Sequence, residues 1–285
     1  MGADQGENLL IRFGFDERKV PIVSLQHQAA LAKKYLHYYF KAGNRHDVHS
    51  PFVYALVDEV LNDKAFKPAY APMEALRKQL LQSSEVIAVT DLGAGSLMGA
   101  TNTRRIKDIV KHAAKPPKFG QLFYRLVQYF QARTVLELGT SMGLSTAYMA
   151  SAGATVHTIE GCPNIAAKAG ESFAALGLQN IRQYVGNFDT VLPSVLSEMP
   201  APDIVYIDGN HREEPTVRYY LECLQKVKPS ALLIFDDVHW TEGMERAWEV
   251  VKEHPATTLS IDLFFIGLVF LREEFKVRQE FVLRF

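Results

Sequence analysis

From Gln28 to about Ala114, apolar residues recur at helical spacing in several short segments, among them AALAKKYLHYYF (29–40) and FVYALVDEVL (52–61). This predicts a helical N-terminal region. After Gly120 the pattern changes to short, β-branched apolar runs that alternate with amphipathic segments. The runs are TVLELG (134–139), TVHTIE (155–160), IRQYVG (181–186), DIVYID (203–208) and ALLIFDD (231–237). Most are apolar on both faces, as strands are when helices cover a parallel sheet from either side. The alternation predicts a doubly wound α/β domain. Two further runs, TTLSIDLF (257–264) and GLVFLR (267–272), lie too close together for a crossover helix and predict an antiparallel hairpin, for seven strands in all. The tail EEFKVRQEFVLRF (273–285) is amphipathic and is expected to dock on the rest. The chain divides on this reading into a helical region, 1–118, and an α/β domain with its tail, 119–285.

Composition narrows the function. With 285 residues, 48% apolar and 22% charged, the chain can bury a full core. A net charge of -1 argues against a partner held by a strongly basic surface, nucleic acid included. Charge is uneven, however: residues 1–120 hold 17 Lys/Arg against 12 Asp/Glu, and 121–285 hold 14 against 20. The two cysteines, Cys162 and Cys223, are far apart and form no CxxC spacing, which predicts packing residues in a reducing cytoplasm. The longest apolar run, Leu263–Leu271, is about half of what a bilayer requires, and the N-terminus lacks a basic-then-apolar leader pattern. No membrane association is expected.

The chemistry begins where the first strand ends, at Glu137-Leu138-Gly139-Thr140-Ser141-Met142-Gly143-Leu144-Ser145. Glycines let the backbone turn sharply into a helix whose first amides face a ligand. Glu137, at the end of an apolar strand, is costly to desolvate unless a cation or hydrogen-bond donors meet it. Glu160 ends the second strand 21 residues after Gly139, the spacing at which an acid accepts hydrogen bonds from ribose hydroxyls. The dinucleotide pattern G-x-G-x-x-G is absent, so a ligand with a ribose and no pyrophosphate fits better than NAD.

This segment, ELGTSMGLST, resembles the first motif of class I S-adenosylmethionine-dependent methyltransferases, in their O-methyltransferase-like branch. The resemblance spans about residues 115–272 and continues in Gly186-Asn187-Phe188, Ile207-Asp208-Gly209-Asn210-His211 and Phe235-Asp236-Asp237. It implies a Rossmann-like seven-stranded sheet with an antiparallel terminal hairpin, and S-adenosylmethionine as methyl donor. Glu137 and the Gly139–Gly143 loop, with Thr140, Ser141 and Ser145, would hold the methionine part. Glu160 would hold the ribose. Gly186, Asn187 and Phe188 would border the adenine, and Asp208 would also face the cofactor. Gly120 and Gln121, in a segment like the first helix of this branch, would lie near it as well.

Sheets of this kind bind ligands beyond the carboxyl ends of their strands, so Asp208, His211, Asp236, Asp237, His239 and Trp240 should converge on one cleft. Packed carboxylates need protons or a hard cation to offset their repulsion. By resemblance, Asp208, Asp236 and Asp237 would form a Mg²⁺ site that lowers the pKa of the acceptor hydroxyl. The alternative is that Asp208 and Asp236 serve the cofactor or cap helices and hold no metal. Asp237 departs from the Asn common at this place in the catechol-type pattern. His211 is placed to act as general base, with Asp208 as its catalytic neighbour.

Three further features carry less. Val89–Ser96 (VTDLGAGS) resembles a first motif in isolation, but no second strand ending in an acid follows it, and it is read as a loop. Arg104–Lys118 is basic, and the reading is a solvated helix face followed by a Pro116-Pro117 linker, with RNA the alternative partner. His46 and His49 flank Asp47, which fits the start of a helix, with Ser50 at the N-cap and Pro51 in the first turn. The expectation is an enzyme that methylates a hydroxyl of a small molecule. An RNA methyltransferase and a non-catalytic cofactor-binding module are the competing readings, and a homodimer is among the states the sequence allows.

Overall fold

The computed structural model describes residues 25–90 and 103–285; most of the Val89–Ser96 segment lies outside them. The N-terminal region folds as helices α1 (Leu25–Lys41), α2 (Pro51–Leu56, continued by a π-helical turn, Val57–Leu61) and α3 (Tyr70–Gln82). A two-stranded antiparallel ribbon follows, β1 (Val86–Ala88) with β2 (Thr103–Arg105), and then α4 (Ile106–Ala113). The expectation of helices alone missed this ribbon, because three-residue strands leave no periodic trace. Ser50 occupies the N-cap of α2, with Pro51 at its first position, although its hydroxyl makes no capping bond.

The α/β part runs α5 (Pro117–Tyr129), β3 (Thr134–Leu138), α6 (Leu144–Ser151), β4 (Thr155–Glu160), α7 (Pro163–Ala175), β5 (Ile181–Val185), α8 (Phe188–Glu198), β6 (Ile204–Ile207), α9 (Glu213–Leu224), β7 (Leu232–Asp236), α10 (Glu242–Glu253), β8 (Leu259–Asp262), β9 (Ile266–Phe270) and β10 (Gln279–Val282). The sheet order is β10-β8-β9-β7-β6-β3-β4-β5. Strands β3 to β7 are parallel, and β8–β9 is the expected antiparallel hairpin. The doubly wound Rossmann-like architecture is as expected.

The sheet has eight strands, one more than the seven expected. The added strand comes from the tail: Gln279–Val282 pairs in parallel with β8. At four residues, with two polar residues followed by two apolar ones and no fully buried position, it is too short and too exposed to stand out in the sequence. From there Val282 and Gly43 exchange chain contact, Gly43 N–H donating to the Val282 carbonyl at 2.9 Å, and Tyr38 donates a short hydrogen bond to the Leu283 carbonyl. The tail therefore docks, as expected, and joins the N-terminal helices to the sheet edge.

Alternation along the strands divides the core. Val135, Tyr206 and Ile234 face one layer, with Phe119, Leu122, Phe123 and Leu126 of α5 and Leu56 and Val60 of the N-terminal region. Leu136, Leu138, Val205, Ile207 and Phe235 face the other, against Tyr219 and Tyr220 of α9 and Trp248 of α10. Glu137, two residues after Val135, points to the first layer, which is how a carboxylate enters a fully buried position. The carboxyl ends of β3, β4, β6 and β7 all lie at one rim of the sheet.

Candidate functional site

At that rim the chain after β3 turns through Gly139 (φ +105°), Ser141 (φ +48°) and Gly143 (φ +79°) into α6. A side chain at Gly139 would put its Cβ 1.8 Å from the Asp208 carbonyl oxygen, and Asp208 N–H in turn donates to the Leu138 carbonyl at 2.8 Å. Only glycine allows the β3 and β6 tips to approach this closely. Glu137 is fully buried and accepts hydrogen bonds from the hydroxyls of Ser145, Thr146 and Thr158, the last at 2.7 Å. Burial pushes its carboxyl up to about 7, against the pull of these donors. Three of the roughly four acceptor positions of a carboxylate are thus filled.

Glu160, at the tip of β4, accepts from the backbone N–H of Ser141 at 2.9 Å and of Cys162 at 3.0 Å. Burial raises its pKa, and these amides work in the opposite sense. Glu137 and Glu160 therefore sit at neighbouring strand tips on either side of the glycine turn. Asn187 caps α8, its side chain accepting from Asp189 N–H at 2.9 Å, and Phe188 packs edge-on to Tyr219 at 5.8 Å between ring centres. Gly186 takes φ +143° at the end of β5.

The β6 and β7 tips carry the second acidic set. His211 Nε2 lies 3.6 Å from Asp208 Oδ1, and buried Tyr206 donates to Asp208 Oδ2 at 2.9 Å. Burial lifts Asp208 to about 6. Asp236, only 3% exposed, is raised well above the ordinary carboxylate range by burial and then by the charge of Asp208. Ligand atoms of Asp208, His211 and Asp236 all lie within 4.8 Å of one another, and Asp236 Oδ1 has no hydrogen-bond partner. His239 and Trp240 turn elsewhere. His239 pairs with Asp262 at 2.7 Å and Glu245 at 3.1 Å and stacks on Phe264, and Trp240 meets the ring of His27.

One residue at this rim was read differently from the sequence. Lys115, expected on a solvated segment, is inserted between the acids: its Nζ lies 3.1 Å from Asp236 Oδ2 and forms a short ion pair with Asp237. The surrounding carboxylates hold its pKa above the usual lysine range despite burial, and Asp237 remains ionised. Pro116 favours an extended backbone at Lys115, and Arg77 of α3 donates to the Lys115 carbonyl at 2.8 Å. A lysine directly before Pro-Pro is the available sequence signal, but it does not reveal where the side chain goes. Pro116-Pro117 is not a linker, since Pro117 opens α5.

A Mg²⁺ ion bound to Asp236 and Asp237 would have to occupy space next to this ammonium. At 4 Å and an effective dielectric of about 20, a unit charge repels a divalent one by on the order of 8 kcal/mol. The trio Asp208, Asp236 and Asp237 does not fit a resident divalent cation while Lys115 is in place. Between this set and the glycine turn is a cavity of about 40 Å³ lined by Gly139, Thr140, Ser141, Ser145, Tyr206 and Asp208 from the α/β part and by Arg77, Lys115 and Gly120. Arg77 and Lys115 of the N-terminal region thus cover the glycine turn from one side. Gln121 is tied to Glu74 at 2.7 Å.

A doubly wound sheet with a terminal hairpin, a glycine turn after β3 and acids at the β3, β4 and β6 tips define the class I S-adenosylmethionine-dependent methyltransferase domain. Residues 136–238 match the family described as "Methyltransferase domain", and the chain is similar to members of the O-methyltransferase-like branch of this class. It is 30% identical over 148 residues to a catechol O-methyltransferase of Niastella koreensis, an alignment that covers 50% of this chain and 66% of that protein. Its fold resembles the O-methyltransferase from Bacillus cereus in complex with SAH (TM-score 0.53, 17% identity, 76% of this chain and 96% of that one). It also resembles an SAH-bound methyltransferase of Podospora anserina (TM-score 0.56, 11% identity, 90% and 100%). Among the described residues no helix is long and apolar enough to cross a membrane.

Proposed function

We propose that the protein transfers the methyl group of S-adenosylmethionine to a hydroxyl of a small molecule. The observation that carries this reading is the set of groups at one rim: Glu160 accepts from Ser141 of the glycine turn at 2.9 Å, and Asp208 lines the same cavity as that turn, with His211 Nε2 at 3.6 Å from its Oδ1. Glu160, fixed by the Ser141 and Cys162 amides, keeps lone pairs for the ribose hydroxyls. The turn Gly139–Gly143, with Thr140, Ser141 and Ser145, takes the methionine end. Glu137 shapes that turn through its three hydroxyl partners and has one acceptor position left for an ammonium. Gly186, Asn187 and Phe188 border the adenine.

At the acceptor, the His211 imidazole takes the hydroxyl proton, and Asp208, 3.6 Å from its Nε2, offsets the charge that results. The acceptor oxygen then attacks the methyl carbon, the C–S bond breaks, and its electron pair stays on sulfur as the neutral thioether. The enzyme supplies alignment and a deprotonated nucleophile, and no covalent intermediate with it is needed. The N-terminal region acts as a cap here, with Met73 and Arg77 of α3 and Lys115 on the cavity. We place the protein in the cytoplasm, consistent with two buried free cysteines, and with no nucleic-acid partner; a homodimer is among the assemblies it allows.

Isothermal titration of the full chain with S-adenosylhomocysteine tests this reading. Binding is expected, weakened about 10- to 100-fold by Glu160→Ala, equivalent to about 1.4–2.8 kcal/mol. No heat at millimolar ligand overturns it.

A further inference from the structure

Lys115 does more than neutralise charge. Building on the proposed methyl transfer, we infer that its ammonium takes the place of a divalent cation at the acceptor site, so that the reaction proceeds with a cation supplied by the protein itself. A metal in such a site has two tasks: it offsets the clustered carboxylates, and it holds the acceptor oxygen and favours loss of its proton. Lys115 is built to perform both.

The first task is visible in the contacts. Nζ lies 3.1 Å from Asp236 Oδ2 and pairs with Asp237, so one ammonium bridges consecutive acids on the turn after β7. The side chain is 16% exposed, and the Phe265 ring lies 5.8 Å from the ammonium. Its backbone is fixed from both sides. Arg77 holds the Ala114 and Lys115 carbonyls at 3.3 and 2.8 Å, and Pro116 and Pro117 follow directly. A solvated surface lysine has no such anchoring.

The second task follows from valence. An ammonium has three N–H donors, and two are directed at Asp236 and Asp237. The residue also lines the cavity shared with Asp208, Tyr206 and Gly139, where the third donor can meet an acceptor oxygen. The transfer stays balanced: the hydroxyl proton passes to the His211 imidazole, the oxygen forms its bond to the methyl carbon as the C–S bond breaks, and Lys115 keeps all its protons. The opposing observation is that Asp208, His211 and Asp236 present ligand atoms within 4.8 Å and Asp236 Oδ1 is unpartnered, a set that a small cation could address from the other side.

The experiment is a Mn²⁺ titration of the full chain followed by electron paramagnetic resonance, on wild type, Asp236→Asn, Lys115→Gln and Lys115→Gln/Asp236→Asn. Wild type is expected to show no submillimolar Mn²⁺ site. Lys115→Gln is expected to bind Mn²⁺ at least about tenfold more tightly, and the second substitution to remove the gain. A submillimolar site in wild type that Asp236→Asn abolishes overturns the inference, as does a folded Lys115→Gln protein with no gain. Lys115→Met serves if Lys115→Gln does not fold. S-adenosylhomocysteine binding on the same samples reports on the methyltransferase reading separately, because its loss leaves the Mn²⁺ result readable.

Discussion

The rim of the sheet holds two acidic sets that solve the same electrostatic problem differently. At the β3 and β4 tips, Glu137 and Glu160 are met by neutral donors: three hydroxyls for Glu137, and the Ser141 and Cys162 amides for Glu160. Those donors come from within 25 residues of chain, Glu137 to Cys162, and form whenever β3, α6 and β4 fold. At the β6 and β7 tips, Asp208, Asp236 and Asp237 are met by a full charge, Lys115, which is 121 residues from Asp236. The first set is completed by its own supersecondary unit. The second depends on docking of the N-terminal region, which also narrows the cavity between them.

The sharpest break of this contrast is at the point where the two sets touch. Gly139→Ala would drive a methyl into the Asp208 carbonyl and is expected to cost about 4 kcal/mol or more, seen as loss of cooperative melting or a large fall in denaturation midpoint. Next in size, Lys115→Ala leaves buried carboxylates without their cation and is expected to cost about 3 kcal/mol near neutral pH by urea unfolding. That loss should shrink as pH falls through the carboxylate range, because the freed acids then protonate. If Lys115→Ala proves neutral across that range, the acids do not depend on the N-terminal region and the contrast fails.

The smallest effect belongs to the self-contained set. Glu137 is raised from 4.5 to about 7 in the folded protein. The folded state therefore binds more protons than the unfolded one between these values. Its contribution is fully present below about 4.5 and is lost as pH rises to about 7, with a slope no steeper than about 1.4 kcal/mol per pH unit. Glu137→Gln should lose this slope while costing about 1–3 kcal/mol at low pH, since an amide cannot accept from all three hydroxyls. Asp208, raised in the same sense, acts in both proteins, so the difference between their pH–stability curves isolates Glu137. Parallel curves would show that Glu137 is ionised throughout and that its hydroxyl partners outweigh burial.

Much of the molecule was legible from residue order. The strands read at 134–139, 155–160, 181–186, 203–208 and 231–237 agree with β3 to β7 to within a residue or so at their ends; β3, β4, β6 and β7 are largely buried on both faces and so mostly apolar, whereas β5 is a partly exposed edge strand. Glu137, Glu160 and Asp208 were legible as exceptions, polar groups at the ends of apolar runs. The eighth strand and the β1–β2 ribbon were not, being short and half exposed. Nor were the destinations of His239 and Trp240, which lie close in sequence to Asp237 and turn toward α1 and β8 instead.

By itself, the sequence determined the class of fold and the carboxylates and glycines at the sheet tips, because periodicity and the cost of burying charge act through local chain order. Only the tertiary structure decided what meets those carboxylates. A lysine on a basic stretch reads as solvated until packing brings it to three acids from the other half of the chain. Long side chains carry no sequence mark of their partners, and the contact that joins Lys115 to Asp236 and Asp237 exists only once the N-terminal helices close over the rim.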